Sequence, residues 1–163
     1  MINEESAVLK RLFQNETIKI KGTDGKKNIG QSPEVFKSSL DPDFKGWQLN
    51  KVQDQTKEKE VEVYEVVSSA NFKTMFSQFC ENSSKPKEAC LTQHQIVEFC
   101  QNHKDYLQRN WATFFLFKEN NEYFVARVFV RANGLHVDSI SFDLLHNWLA
   151  DRRPRLVIPI ITS

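Results

Sequence analysis

The sequence lacks the features of secreted and membrane-spanning proteins. No stretch approaches the roughly 18 consecutive apolar residues of a membrane helix, and the N-terminus has neither the basic start nor the apolar run of a signal peptide. Cysteine is scarce and odd in number, since the sequence contains Cys80, Cys90 and Cys100 alone. An odd count suits a reducing compartment better than a disulfide framework. We therefore expect a soluble, cytoplasmic protein that binds no membrane.

An excess of one charge is also missing, because 22 Lys and Arg stand against 21 Asp and Glu. Such a chain has no overall field to attract nucleic acid, so any nucleic-acid binding must be local. Glycine is sparse, and the segment GTDGKKNIG matches neither glycine-rich phosphate-binding pattern. The chain is instead rich in phenylalanine, with 13 in 163 residues, which favours strands and a thick core. We expect a folded domain without a cofactor.

Helices are predicted from apolar spacing and capping residues. Thr92 and Gln95 fit a capping box, in which each side chain bonds the backbone of the other. Other segments carry apolar residues three and four positions apart, or a serine followed by proline at the first helical position. The predicted helices span residues 4–15, 33–40, 69–81, 92–109 and 142–150.

Strands are predicted where apolar and polar residues alternate. Residues 17–21 and 61–67 are two such segments, and ATFFLFK, YFVARVFVR and LHVDSISF follow one another across short turns. These connections are too short for parallel crossovers, so the three segments predict an antiparallel meander. LVIPII would be a last strand, and Pro159 within it favours an edge position or an early end to pairing. An open edge there could pair with a second copy of the chain.

These elements predict the fold class. We expect a single α+β domain over residues 1–163, with an antiparallel β-meander of about four to five strands packed by two to four helices. Residues 61–163 would hold the core sheet and helices. Residues 51–60, a polar segment, would form a loop or linker, and residues 1–50 an appendage or second layer.

Soft metal ligands and a nucleophile are the first chemical possibilities. Cys90, His94, Cys100 and His103 include the residue types that zinc prefers. The two histidines, however, lie nine positions apart and would point to opposite sides of one helix, so we predict no metal site. A small hydrolase with a Cys/His site, using Cys90 or His94, remains an alternative because both lie near a predicted loop.

One face of YFVARVFVR is the most distinctive feature. Tyr123, Arg127, Phe129 and Arg131 share that face and interleave aromatic with cationic side chains. Open sheets of this kind stack the bases of single-stranded RNA and neutralise its phosphates. A short basic loop, DRRPR, adds further candidates for binding an anion or an acidic partner: Arg152, Arg153 and Arg155.

No acid, base, nucleophile and metal converge in this pattern, so it favours a non-enzymatic binding or protein-interaction module. Its partner would be a protein, and the module would be a monomer or a homodimer. Single-stranded RNA or another nucleic acid, bound on the aromatic and arginine face, is the alternative ligand. The Cys/His hydrolase is the third possibility.

Overall fold

A computed structural model describes residues 8–80 and 86–160. Its strands are β1 (Leu9–Leu12), β2 (Ile18–Ile20), β3 (Ser39–Leu40), β4 (Lys59–Val66), β5 (Ala112–Glu119), β6 (Glu122–Arg131), β7 (Gly134–Ser141) and β8 (Arg155–Pro159). They form one sheet in the order β1–β4–β8–β5–β6–β7–β3, with β2 also paired to β4. The α-helices among these residues are α1 (Asp43–Gly46), α2 (Phe72–Ser77) and α3 (Gln93–Asn102).

The predicted fold class is wrong, because the sheet has eight strands and is mixed rather than antiparallel. β8 pairs parallel to β5, and β3 pairs parallel to β7, while the remaining pairs are antiparallel. β5, β6 and β7 do pair antiparallel with one another, as their short turns predict. They are nevertheless three strands of a wider sheet, whose other members reach it from distant parts of the chain.

The capping-box helix is confirmed at its start. The Gln95 N–H donates to Thr92 Oγ1 over 3.1 Å, and the Thr92 N–H donates to Gln95 Oε1 over 2.9 Å. α3 ends at Asn102 rather than at residue 109. α2 likewise covers only the middle of the predicted segment 69–81.

Three helix predictions are wrong. Residues 9–12 of the predicted helix 4–15 form β1, and residues 1–7 lie outside the described chain. Residues 33–35 form a turn, residues 36–38 are irregular, and residues 39–40 are β3 itself. Residues 142–149 have no regular helix, and a short 3-10 turn follows at Ala150–Arg152.

The edge position predicted for LVIPII is also wrong. β8 lies in the interior of the sheet, antiparallel to β4 on one side and parallel to β5 on the other. Pro159 is tolerated because it is the last residue of the strand, opposite Val61. β4 pairs with the whole of β8, whereas β5 pairs with Arg155 and Leu156 alone, so pairing on that side ends before Pro159.

Each face of the sheet packs against a different layer. On the first face, α3 and residues 29–49 cover the apolar side chains of the strands. On the second face, the cover is α2, Phe142 and Trp148. The first face of β6 carries Phe124, Ala126 and Val128, and the second face carries the residues between them.

The N-terminal segments contribute directly to this sheet. β1 and β2 pair antiparallel with successive parts of β4, and Ile29, Phe36 and Phe44 pack on the first face. Residues 51–58 hold no helix or strand apart from a bridge between Thr23 and Thr56. The assignment of residues 1–163 to a single domain stays a prediction. No described helix is long and apolar enough to cross a bilayer.

Candidate functional site

The register of the β6–β7 hairpin places a charged pair on the second face. Arg127 lies opposite Asp138, and Phe129 lies opposite His136. Arg127 donates to both carboxylate oxygens of Asp138, from Nε over 2.9 Å and from Nη2 over 2.7 Å. This bidentate geometry is the strongest that an arginine and a carboxylate form, and it fixes the plane of the guanidinium.

Aromatic rings and arginines continue outward from this pair. The Cζ atom of Arg127 lies 5.2 Å from the ring centre of Trp148 and 5.3 Å from that of Phe129. Trp111 packs edge-on against Phe129, with 6.1 Å between ring centres. Arg131 lies over Phe129 and Arg152 over Trp111. We call this group the aromatic–arginine cluster: Trp111, Arg127, Phe129, Arg131, Trp148 and Arg152.

The cluster is buried at one end and open at the other. Trp148 is buried, Trp111 and Phe129 are half-buried, and Arg131 and Arg152 are exposed. Neither exposed arginine forms an ion pair with a described residue, whereas Arg127 is neutralised by Asp138. Free positive charge therefore lies at the solvent edge of the aromatic rings.

The cluster unites four of the seven residues that the sequence predicts for binding, Arg127, Phe129, Arg131 and Arg152. Arg153 lies beside it and lines a cleft of about 490 Å³ together with Gln108, Asn110, Asp151 and Arg152. The backbone of Arg153 adopts a left-handed conformation, with φ of 49°. Its carbonyl accepts a hydrogen bond from Gln108 Nε2, which ties the basic loop to the start of β5.

Tyr123 and Arg155 lie apart from the cluster. Tyr123 is near the other end of β6, where its ring packs beside Phe142 and under Lys118. Arg155 is half-buried, donates to the Tyr106 carbonyl over 2.8 Å and covers the ring of Phe13. Burial lowers the pKa of Arg155. These contacts give Arg155 a structural role.

An exposed apolar surface adjoins the basic loop. Six large hydrophobic side chains are exposed among the described residues, and four of them lie in or beside the segment 142–153. Three of the four are leucines of the segment, and the fourth, Val67, lies beside it. Val67 is held there because the Val66 N–H donates to the Pro154 carbonyl and the Ala150 N–H donates to Ser69 Oγ. We call this group the leucine–arginine surface: Val67, Leu144, Leu145, Leu149, Arg152 and Arg153.

The anchor of this surface is Trp148. Its backbone bridges to Ala70, and its ring packs against Phe72 and Phe114. These contacts fix the segment 142–149 on the second face of the sheet. The leucines on either side of Trp148 point outward, and Leu145 is 74% exposed. Free side chains of this size on an ordered backbone are available for contact with a partner.

The cysteines give no support to nucleophilic chemistry. Burial, together with a smaller contribution from Cys80, raises the pKa of the Cys90 thiol to about 12. Burial also raises the pKa of Cys100. A thiol with such a pKa is protonated and unreactive at neutral pH. His94 contacts the carboxylates of Asp24 and Glu98, and no group of three or more His, Cys, Asp or Glu in residues 8–80 and 86–160 could hold a metal ion.

A serine, a histidine and an aspartate also occur side by side on the second face. Ser39 Oγ lies 2.5 Å from His136 Nδ1, but His136 Nε2 is 4.0 Å from Asp138 Oδ2. Both oxygens of that carboxylate already bind Arg127, so Asp138 does not orient the imidazole as a catalytic triad requires. The group holds the short strand β3 against β7.

Comparison of the chain with models of protein families, with curated proteins and with solved structures finds no match in any of the three.

Sequence reasoning missed Trp111, Trp148, His136 and Asp138. The two hairpin partners could have been found, because a two-residue turn after Arg131 sets Asp138 opposite Arg127. Trp111 could have been found in the same way, because the β5–β6 turn sets the next residue, Ala112, opposite Phe129. Trp148 reaches the cluster from a segment outside these strands, and no local pattern predicts that contact.

Proposed function

We propose that the chain is a non-enzymatic interaction module that binds a polypeptide segment carrying apolar and acidic side chains. The observation that carries this proposal is the leucine–arginine surface, where exposed leucines share a segment with two exposed arginines that form no ion pair with a described residue. Apolar side chains of a partner would cover Leu145 and Leu149, and its carboxylates would meet Arg152 and Arg153. Such complementarity sets the rate and the orientation of binding, while the buried apolar contacts supply most of the affinity.

Polypeptide is favoured over nucleic acid by the state of the aromatic rings. A base stacks on an open ring face, but Phe129 already has Arg127 and Arg131 over it, and Trp111 has Arg152 over it. Arg127 is also engaged by Asp138, which removes one of the cations that a phosphate would need. The arginines of the aromatic–arginine cluster would also suit a nucleic acid, but the exposed leucines would not.

The test uses three synthetic peptides of one length: an acidic peptide with interspersed leucines, its lysine counterpart and an acidic peptide without leucine. Backbone NMR shifts of the isotope-labelled protein report binding. We expect the first peptide to shift residues 144–153 and to bind at least about tenfold more tightly than either of the others.

Variants locate the surface. The double change Leu145→Ser and Leu149→Ser should remove most of the binding, and Arg152→Ala should weaken it and reduce its salt dependence. Val52→Ser is the matched control, since Val52 is 70% exposed and lies outside the segment 142–153. Equal binding by the wild type and the leucine double variant would contradict the proposal.

The second candidate, single-stranded RNA, is tested in the same experiment with an oligouridine probe at two salt concentrations. Salt-sensitive binding that is lost on Arg131→Ala would favour the aromatic–arginine cluster as a nucleic-acid site and displace the polypeptide proposal.

We further propose that the module works in the cytoplasm as a monomer or a homodimer. Three free cysteines, Cys80, Cys90 and Cys100, support a reducing compartment. Light scattering at high protein concentration distinguishes the two oligomeric states.

A further inference from the structure

A second pocket lies at the margin of the first face. The β5–β6 turn, the end of β7 and the residue after α1 line an open cleft of about 330 Å³. Its lining residues are Trp47, Asn120, Glu122, Phe124 and Ser141. The leucine–arginine surface belongs to the opposite face of the sheet, so this pocket is independent of the proposed function.

One wall of the pocket is aromatic and preformed. Trp47 stacks on Phe124 with 6.0 Å between ring centres and 28° between the planes, and Phe124 stacks in turn on Phe117. Asn120 Nδ2 donates to the Gln48 carbonyl over 3.2 Å, which ties the turn to the tryptophan loop. Trp47 is nevertheless 42% exposed, so much of the indole remains open to a ligand.

The charge beside this wall is negative. Glu119 and Glu122 are direct cross-strand partners at the turn, and like charges in such positions repel. The Glu119 carboxylate accepts hydrogen bonds from the side-chain amides of Gln53 and Gln93. Among the described residues, the Glu122 carboxylate has no hydrogen-bond or ion-pair partner, and no Lys or Arg lines the pocket.

We propose that this pocket binds a small organic cation, a quaternary ammonium or a guanidinium group. The cation would lie against the indole of Trp47, whose electron-rich face attracts positive charge, with Glu122 as its counter-ion. The amide of Asn120 and the hydroxyl of Ser141 would supply the few polar contacts that orient a ligand in an aromatic pocket. The cation could come from a free small molecule or from an arginine side chain of a polypeptide.

The test compares choline with its uncharged carbon isostere, in which a tert-butyl group replaces trimethylammonium. The readout is the NMR signal of the Trp47 indole N–H, assigned by its loss in Trp47→Phe. We expect choline to bind at least about tenfold more tightly than the isostere, because the isostere lacks the attraction to the ring and the carboxylate. Equal affinities, or no shift with about 50 mM choline, would overturn the proposal.

Variants assign the roles of the two residues. Glu122→Gln should weaken choline binding about fivefold and remove its salt dependence, while Glu34→Gln, an exposed control elsewhere, should leave it unchanged. Trp47→Leu should abolish binding and Trp47→Phe should retain part of it, which keeps the test valid if the leucine variant folds poorly. Unchanged binding in Glu122→Gln would refute the counter-ion role.

The source of the cation is distinguished by a third ligand, a short neutral peptide with one arginine. Tighter binding than choline identifies an arginine side chain as the natural occupant, and weaker binding identifies a free quaternary ammonium. Both results support the site.

Discussion

The two faces of the sheet bury similar phenylalanine-rich cores, but different kinds of structure cover them. On the first face, the cover includes α3, a regular helix whose residues 93–100 are all buried. On the second face, residues 142–149 have no regular helix and are anchored by Phe142 and Trp148. An irregular segment held by two side chains leaves the intervening residues free to face outward. The second face can therefore carry both a core and an exposed interaction surface.

The largest expected effect tests whether the two cores are equivalent. Phe114 and Phe115 are consecutive on β5, point to opposite faces and are both fully buried. Phe114→Ala and Phe115→Ala should each lower the free energy of unfolding by about 3–5 kcal/mol, because each leaves a large cavity. Urea denaturation measures both. A loss below about 1 kcal/mol for either variant would show that its face is not a packed core.

The next effect is a difference in the free energy of unfolding between variants that each remove one ion pair, one on each face. On the second face, Asp138→Ala leaves the half-buried Arg127 without its bidentate partner, and we expect a loss of about 2 kcal/mol. On the first face, Lys21→Ala removes an exposed lysine 3.6 Å from Glu98 and should cost less than about 0.5 kcal/mol. Denaturant titration at low salt checks both, and equal losses would contradict this contrast.

A smaller effect appears as pH dependence at the margin of the second face. Burial and the nearby Arg131 lower the pKa of His136 in the folded protein. The unfolded chain therefore takes up a proton first as the pH falls below about 6.5, so His136 destabilises the fold in acid and has no such effect above about pH 7. Between about pH 7 and 5, the stability of wild type should decrease more than that of His136→Asn. Parallel pH profiles would refute this assignment.

The smallest expected effect concerns the exposed leucines. Leu145→Ser and Leu149→Ser should each change the free energy of unfolding by less than about 0.5 kcal/mol, because both side chains already face water. Leu135→Ser on the first face is the contrast, since Leu135 is buried and its loss should cost about 3 kcal/mol. Thermal unfolding of the three variants measures the difference. Strong destabilisation by the exposed substitutions would mean that these leucines support the fold.

Local patterns predicted what short-range geometry determines. The capping box at Thr92 placed the start of α3, and the two-residue turns set the pairing of β5, β6 and β7. The same turns would have given the Arg127–Asp138 pair, had the register been counted outward from the two turn residues, Ala132 and Asn133.

The predictions that were wrong concern segments whose structure depends on contacts with distant parts of the chain. Leu144, Leu145, Trp148 and Leu149 have helical spacing, yet only Trp148 is buried, because its bridge to Ala70 and its contacts with Phe72 and Phe114 fix the segment. Helical spacing is a weak preference that tertiary contacts of this kind override. The same holds for the site, since Arg152 approaches Trp111 through the crossover that places β8 between β4 and β5.

The central position of β8 has a consequence for how the chain is made. The strands β1, β2 and β4 form one half of the sheet, and β5, β6, β7 and β3 form the other. Within the described chain, β8 is the one strand that bonds both halves, although it is the last to be synthesised. Until residues 155–159 leave the ribosome, β4 and β5 present open edges to other chains. Nascent chains should therefore depend on chaperones until the last strand is inserted.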